Sequence, residues 1–138
     1  MAHISRLGAV GIGVEATPGT AVTPTHWVQV SGAPSVNDKY EYQNIETARG
    51  RVEKSQSQKL MKAYGEGSLE MILDETVSVI PLGMILGSVA SASAGGGNYT
   101  HTITVNNSNT AKTATIVLDR VQDTRTFTNA VVTGVDLK

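Results

Sequence analysis

Gly65-Glu-Gly-Ser-Leu-Glu-Met-Ile-Leu73, then Asp74-Glu75, then Ser78-Val-Ile-Pro-Leu-Gly-Met-Ile-Leu-Gly87 changes hydrophobic period within one continuous stretch. In the first part Leu69, Met71 and Leu73 share one side. Glu66, Ser68, Glu70 and Asp74 share the other, with Ile72 as the exception. That alternation is the pattern of a half-buried strand with an acidic outer face. In the second part Ile80, Leu82, Met84, Ile85 and Leu86 surround the axis, as in a helix buried on most sides. Pro81 sets where that helix begins. A cap at Asp74 would put Pro81 deep in the helix, where it removes a hydrogen bond at a cost of about 3 kcal/mol. A cap at Ser78 puts it at the third helical position, where the amide has no intrahelical partner anyway. The spacing therefore predicts a helix over Val79–Leu86 closed by Gly87.

Upstream, Val10, Ile12 and Val14 alternate with Gly11 and Gly13. This is a strand whose glycine side suits close approach by another backbone. Pro18-Gly19 occupies the central positions of a type II turn. Residues 27–30 read as a second strand. Residues 36–42 read as a third, with Val36, Asp38, Tyr40 and Tyr42 on one side and Asn37, Lys39 and Glu41 on the other. Residues 44–62 show little periodicity, and a structureless loop is already long at about 12–15 residues. We therefore expect a long loop, spanning roughly residues 43–63, that is functional, disordered or a strand extension pairing only after assembly, inside a single domain of residues 1–138.

Downstream, residues 90–98 are a Ser/Ala/Gly stretch expected to be a flexible loop. Tyr99, His101, Ile103 and Val105 then alternate with Thr100, Thr102 and Thr104. Asn106-Asn-Ser-Asn109 reads as a turn returning into residues 113–119, and these two segments are expected to form a hairpin. Residues 124–128 and 131–137 are expected to form another, joined near Asn129. The pattern totals about eight strands and one helix, a mainly β chain.

Composition narrows the function classes. The 138 residues suit one domain with a single core. There is no cysteine, which excludes a disulfide scaffold, thiol catalysis and thiolate metal sites. The net charge of −1 implies no global attraction to nucleic acid or an anionic membrane. Apolar runs fall short of the ~20 residues of a transmembrane helix. The glycine-broken run 7–14 behind Arg6 reads as a strand rather than a secretion signal.

No constellation of residues carries a reaction. Glu66 and Glu70 on one strand face would stand ~13 Å apart, too far for a glycosidase pair. His3, His26 and His101 lack ligand-type neighbours at metal spacing, and His101 is expected on the apolar face of its strand. Gly8-Ala-Val-Gly-Ile-Gly13 lacks the order of a dinucleotide loop, Gly95-Gly-Gly97 lacks the Lys of a phosphate loop, and no nucleophile elbow occurs. These observations point away from an enzyme and give no cofactor and no metal. Residues 39–62 do stand out in charge. Lys39, Arg49, Arg51, Lys54, Lys59 and Lys62 against Glu41, Glu46 and Glu53 make +3, leaving −4 elsewhere. Such a basic loop on an acidic body suits either contact between identical subunits or an ordinary solvated loop.

Three segments together resemble the major tail tube protein family of long-tailed, siphophage-like bacteriophages. They are Gly13-Val-Glu-Ala-Thr-Pro-Gly-Thr-Ala-Val-Thr-Pro-Thr-His-Trp27, Tyr64-Gly-Glu-Gly-Ser-Leu-Glu-Met71 with the helix after it, and Tyr99-Thr-His-Thr102 with the Thr-rich segments that follow. The resemblance implies an antiparallel β-sandwich with one short flanking helix and a long inter-subunit loop. It implies hexameric rings, stacked into a tube through which phage DNA passes without sequence-specific binding. The partners would be other copies of the chain and tail proteins such as the tape measure and terminator, with no membrane. Assembly would occur in the host bacterial cytoplasm and the product would reside in the virion. Arg49, Arg51, Lys54, Lys59 and Lys62 would then belong to the inter-subunit loop. Members are usually considerably longer and this chain stops in a strand, so a short or C-terminally truncated member is expected. The alternatives are another tail or neck component of the same fold, or a monomeric β-sandwich decoration or binding module.

Overall fold

The structure is a computed structural model and describes residues 8–32, 34–46, 57–72, 74–75, 77–107, 110–120 and 123–138. Its elements run β1 (Ala9–Val14), β2 (His26–Val28), β3 (Ser35–Ile45), β4 (Ser57–Ser68), α1 (Val79–Leu86), β5 (Gly87–Gly95), β6 (Asn98–Val105), β7 (Ala114–Arg120) and β8 (Asp123–Ala130). Among the described residues every strand pairing is antiparallel and there is one helix, so the fold is mainly antiparallel β. It divides into two compact units. Met1–Ser31 with Met71–Lys138 forms one, and Gly32–Glu70 forms the other.

The first unit is built on a four-stranded sheet of order β2-β1-β7-β8. Its register sets Val10 opposite Val28 and Leu118, and Ile12 opposite Ile116. The β-branched residues expected on one side of β1 therefore meet apolar partners across the β7 ladder, while in the β2 ladder Val10 meets Val28 and Ile12 meets His26. Ile12, Val28, Val77, Met84 and Ala114 form the buried cluster, with Met71, Ile80 and Val132 packed against it. Met84 and Ile80 come from α1, so the helix covers this face of the sheet.

The other side of β1 carries the glycines. A Cβ on Gly11 would lie 2.6 Å from the Pro24 ring, and one on Gly13 would lie 3.0 Å from the Thr23 carbonyl. The expected close approach is thus made by the connection into β2. The Thr20 amide donates to the Thr17 carbonyl at 3.1 Å and Gly19 has φ +81°, as a type II turn requires.

The helix occupies the expected residues. Gly87 closes it at φ 90°, with its amide bonded to the Gly83 carbonyl. Ser78 is itself helical in conformation and makes no side-chain cap. Gly83 allows the chain to double back, because a Cβ there would lie 2.3 Å from Cγ2 of Val89 in β5. The Asn106 amide then donates to the Leu86 carbonyl at 2.8 Å, fixing the β5–β6 hairpin at the helix end.

Several expected elements differ. β4 ends at Ser68, and Met71 makes only an isolated bridge to Val30 while Ile72 is exposed, so the expected strand does not extend over residues 69–72; Leu73 lies outside the described residues. Residues 90–98 are not a loop but most of β5 and the turn into β6. The small residues Ser88, Ala90 and Ala92 pair with Thr104, Thr102 and Thr100, whose branched side chains suit a strand. Gly95, Gly96 and Gly97 all take positive φ and make the reversal. Residues 99–105 and 113–119 are therefore not a hairpin: β6 pairs with β5, and β7 lies between β1 and β8. Likewise residues 131–137 form no strand. Asn129, at φ 57°, sits beside a register shift between Ala114 and Ile116, after which Ala130 pairs with Ala114, the residue where β7 begins, and the ladder ends.

Candidate functional site

The second unit is a two-stranded hairpin of β3 (11 residues) and β4 (12 residues). Its pairing runs from Ser35 opposite Ser68 to Ile45 opposite Ser57, with a bulge between Glu41 and Tyr42. The expected long loop is corrected accordingly. Residues 44–45 belong to β3 and residues 57–62 to β4. The weak periodicity there has a cause in the bulge, because one extra residue shifts the alternation of β4. Arg49, Arg51 and Lys54 lie outside the described residues.

Register sorts the hairpin into two faces. Tyr40 stands opposite Ala63, and Tyr42 opposite Leu60, on one face. The other carries Lys39 opposite Tyr64, Glu41 opposite Lys62, and Gln43 opposite Lys59. Lys59 and Lys62 thus lie together on the polar face. The Lys62 ammonium sits 4.3 Å from the centre of the Tyr64 ring. Lys39 bridges to Glu66, and this hydrogen bond and charge raise the lysine pKa above its ordinary value.

The apolar face is exposed. Tyr40 and Tyr42, with ring centres 6.5 Å apart, are 54% and 59% exposed, and Leu60 is 46% exposed. Nearly every residue of both strands is open to solvent. A two-stranded hairpin alone is at best marginally stable in water, because it buries one thin face and leaves two unpaired edges. This one exposes Tyr40 and Tyr42 instead of burying them. Alternation in residues 36–42 had marked the tyrosine face, and exposure of that face required the structure.

The other perturbed group is Glu15, at the end of β1, which is 8% exposed. Its Oε1 accepts from the Asn129 amide at 3.0 Å and the Thr115 hydroxyl at 2.8 Å. Its Oε2 accepts from the Thr113 hydroxyl and the Gly19 amide, each at 2.8 Å. The Asn129 amide, together with the threonine hydroxyls and the Gly19 amide, holds its pKa down to about 2 against the opposing effect of burial. All four partners are structural, so the carboxylate is a clasp joining the turn after β1 to β7 and the bulge of β8. No local pattern around Glu15 signals this, because its donors lie 4 to 114 positions away.

His101 is exposed on the β5–β6 hairpin rather than packed in the core, and its Nδ1 shares a 2.8 Å hydrogen bond with the Ser91 hydroxyl. Among the described residues no group of three or more His, Cys, Asp or Glu could hold a metal ion. Nor, among them, is any helix long and apolar enough to cross a membrane. No family model, curated protein or solved structure matches the chain.

Proposed function

We propose that the chain is a self-assembling structural subunit whose β3–β4 hairpin is completed by a neighbouring copy. The particular assembly favoured is a phage tail tube of stacked, six-membered rings. The observation that carries self-assembly is the exposed Tyr40–Tyr42–Leu60 face on a hairpin with no core of its own. Identical subunits joined head to tail close into rings when the rotation permits. The tail tube reading rests on the resemblance of the three sequence segments, and the mainly antiparallel fold with one helix agrees with it. The charge division supports contact between copies, since the +3 of residues 39–62 faces −4 on the rest of the chain.

A second reading keeps the same face and changes the partner. Exposed tyrosines are common anchors of binding surfaces, so a decoration or binding module, or another tail or neck component, would also use Tyr40 and Tyr42. Light scattering over a wide concentration range with negative-stain microscopy separates the readings. Rings or tubes support the proposal, whereas a strict monomer at all concentrations overturns it. Replacing Arg49, Arg51 and Lys54 with Ser should leave melting nearly unchanged and impair assembly. That dependence should weaken in salt, since exposed charges are screened beyond ~8 Å at physiological ionic strength. Normal assembly with a collapsed melting temperature would assign the segment to the core.

A further inference from the structure

The first unit carries an open groove of about 420 Å³ along the edge strand β2. β2 supplies Trp27 and Val28, and the segment entering α1 supplies Ile72, Asp74, Glu75 and Val77. The two sides are tied where the Ile72 amide donates to the Gln29 carbonyl at 3.0 Å. Val28 and Val77 are buried, whereas Trp27 and Ile72 are each 54% exposed. A glycine seats the indole from behind: a Cβ on Gly11 would lie 3.3 Å from its Cζ3, so the ring lies close against β1. A ring held in this way is a preset platform, and binding on it orders few side chains. No basic residue is among those lining the groove, and both of its carboxylates are exposed.

These features select one ligand chemistry. An indole face attracts a cation, more strongly where water is excluded. A carboxylate forms a charge-assisted hydrogen bond with an ammonium or guanidinium head. An aliphatic stem covers apolar surface while its charged head stays in water. The volume falls at the small end of ligand pockets, which span about 300–1,000 Å³, and so suits a small molecule. We propose that the Trp27–Ile72–Glu75 groove binds a small aliphatic cation, an amine or guanidine with an apolar stem. Its head lies over Trp27 and pairs with Glu75, its stem covers Ile72, and Asp74 adds negative potential beside the head. The site is made of first-unit residues only, so it stands whether or not the chain self-assembles.

Trp27 is the only tryptophan of the chain, so its fluorescence reports on this groove directly. The full chain is titrated in low salt with agmatine, which carries a guanidinium and an ammonium on a short aliphatic stem. Butanediol, with the same stem and no charge, and sodium chloride at matched ionic strength are the controls. Glu75→Gln and Ile72→Ser are titrated in parallel; both side chains are exposed, and melting without ligand verifies that the variants fold. The expected result is a saturable change in Trp27 emission with agmatine alone. Glu75→Gln should weaken binding about tenfold and Ile72→Ser several-fold. Agmatine should also raise the melting temperature of the natural chain, and Glu75→Gln should lose that rise. Salt at about 0.5 M should weaken binding, since it screens exposed charges. An equal response to butanediol would overturn the proposal by removing the charge selection. A change that never saturates, or that sodium chloride reproduces, would overturn it by removing the site. Saturable binding that neither substitution alters would place the ligand elsewhere and overturn it as well. Binding of an arginine-bearing peptide without binding of agmatine would assign the groove to a protein partner, against the small ligand proposed.

Discussion

The two units of this chain use the same secondary structure to opposite ends. In the first, β1 is paired on both edges, Val10 and Leu118 are each 1% exposed, and α1 covers the apolar cluster. In the second, two longer strands leave Tyr40, Tyr42, Ile45, Leu60 and Met61 exposed. Strand length therefore does not decide stability here. What differs is whether a sheet face meets another layer, since burial of apolar area supplies most of the driving force for folding. A hairpin that keeps its apolar face in water has that driving force still available for a partner.

The sharpest way to break the comparison is to damage the first unit alone. Leu118→Ala removes a fully buried side chain beside Val10. It should cost about 3 kcal/mol in urea or thermal unfolding. A loss as small as that of a surface substitution would show that the four-stranded sheet is not the stabilising core.

Next in size is Glu15→Gln, which removes the charge that four donors share. The carboxylate pKa is lowered from 4.5 to about 2 on folding. Its contribution is therefore complete above pH 4.5 and disappears as pH falls toward 2. The natural chain should lose stability across that window, and the variant should be less stable at neutral pH with a flatter acid limb. Parallel acid limbs for the two proteins would remove Glu15 as the clasp.

Replacing Tyr40, Tyr42 and Leu60 together with Ser inverts the pattern. Melting of the first unit should shift by no more than about 0.5 kcal/mol, as for surface substitutions generally. Sedimentation should show the loss of oligomers. Unchanged assembly would sink the role given to this face. The smallest effect is expected for Lys39→Ala. Both groups of its ion pair with Glu66 are half exposed or more, and water and salt weaken such pairs. Its melting should be indistinguishable from that of the natural chain.

Much of the fold was legible where one residue type admits a single conformation. Pro81 and Gly87 bounded α1, Pro18-Gly19 specified a turn, and Gly11 and Gly13 marked a close approach. Alternation at Val36, Asp38, Tyr40 and Tyr42 located the face that now stands as the candidate assembly surface. The errors fell where pairing overrides local preference. A Ser/Ala/Gly segment became β5 because a Thr-rich strand lies beside it. The alternating residues 131–137 stayed outside any ladder because Ala130 already pairs with Ala114, where β7 begins.

The sequence by itself determined the antiparallel β class, the short helix over Val79–Leu86, the tight turn at Pro18-Gly19 and the absence of cysteine chemistry. Each of these follows from composition, from side-chain period or from the restricted dihedral angles of glycine and proline. Tertiary structure decided which strands pair, the exposure of the tyrosine face and the gathering of four donors around Glu15. Those outcomes depend on contacts between residues as far apart as 114 positions, and nothing in the local pattern of either partner encodes the other.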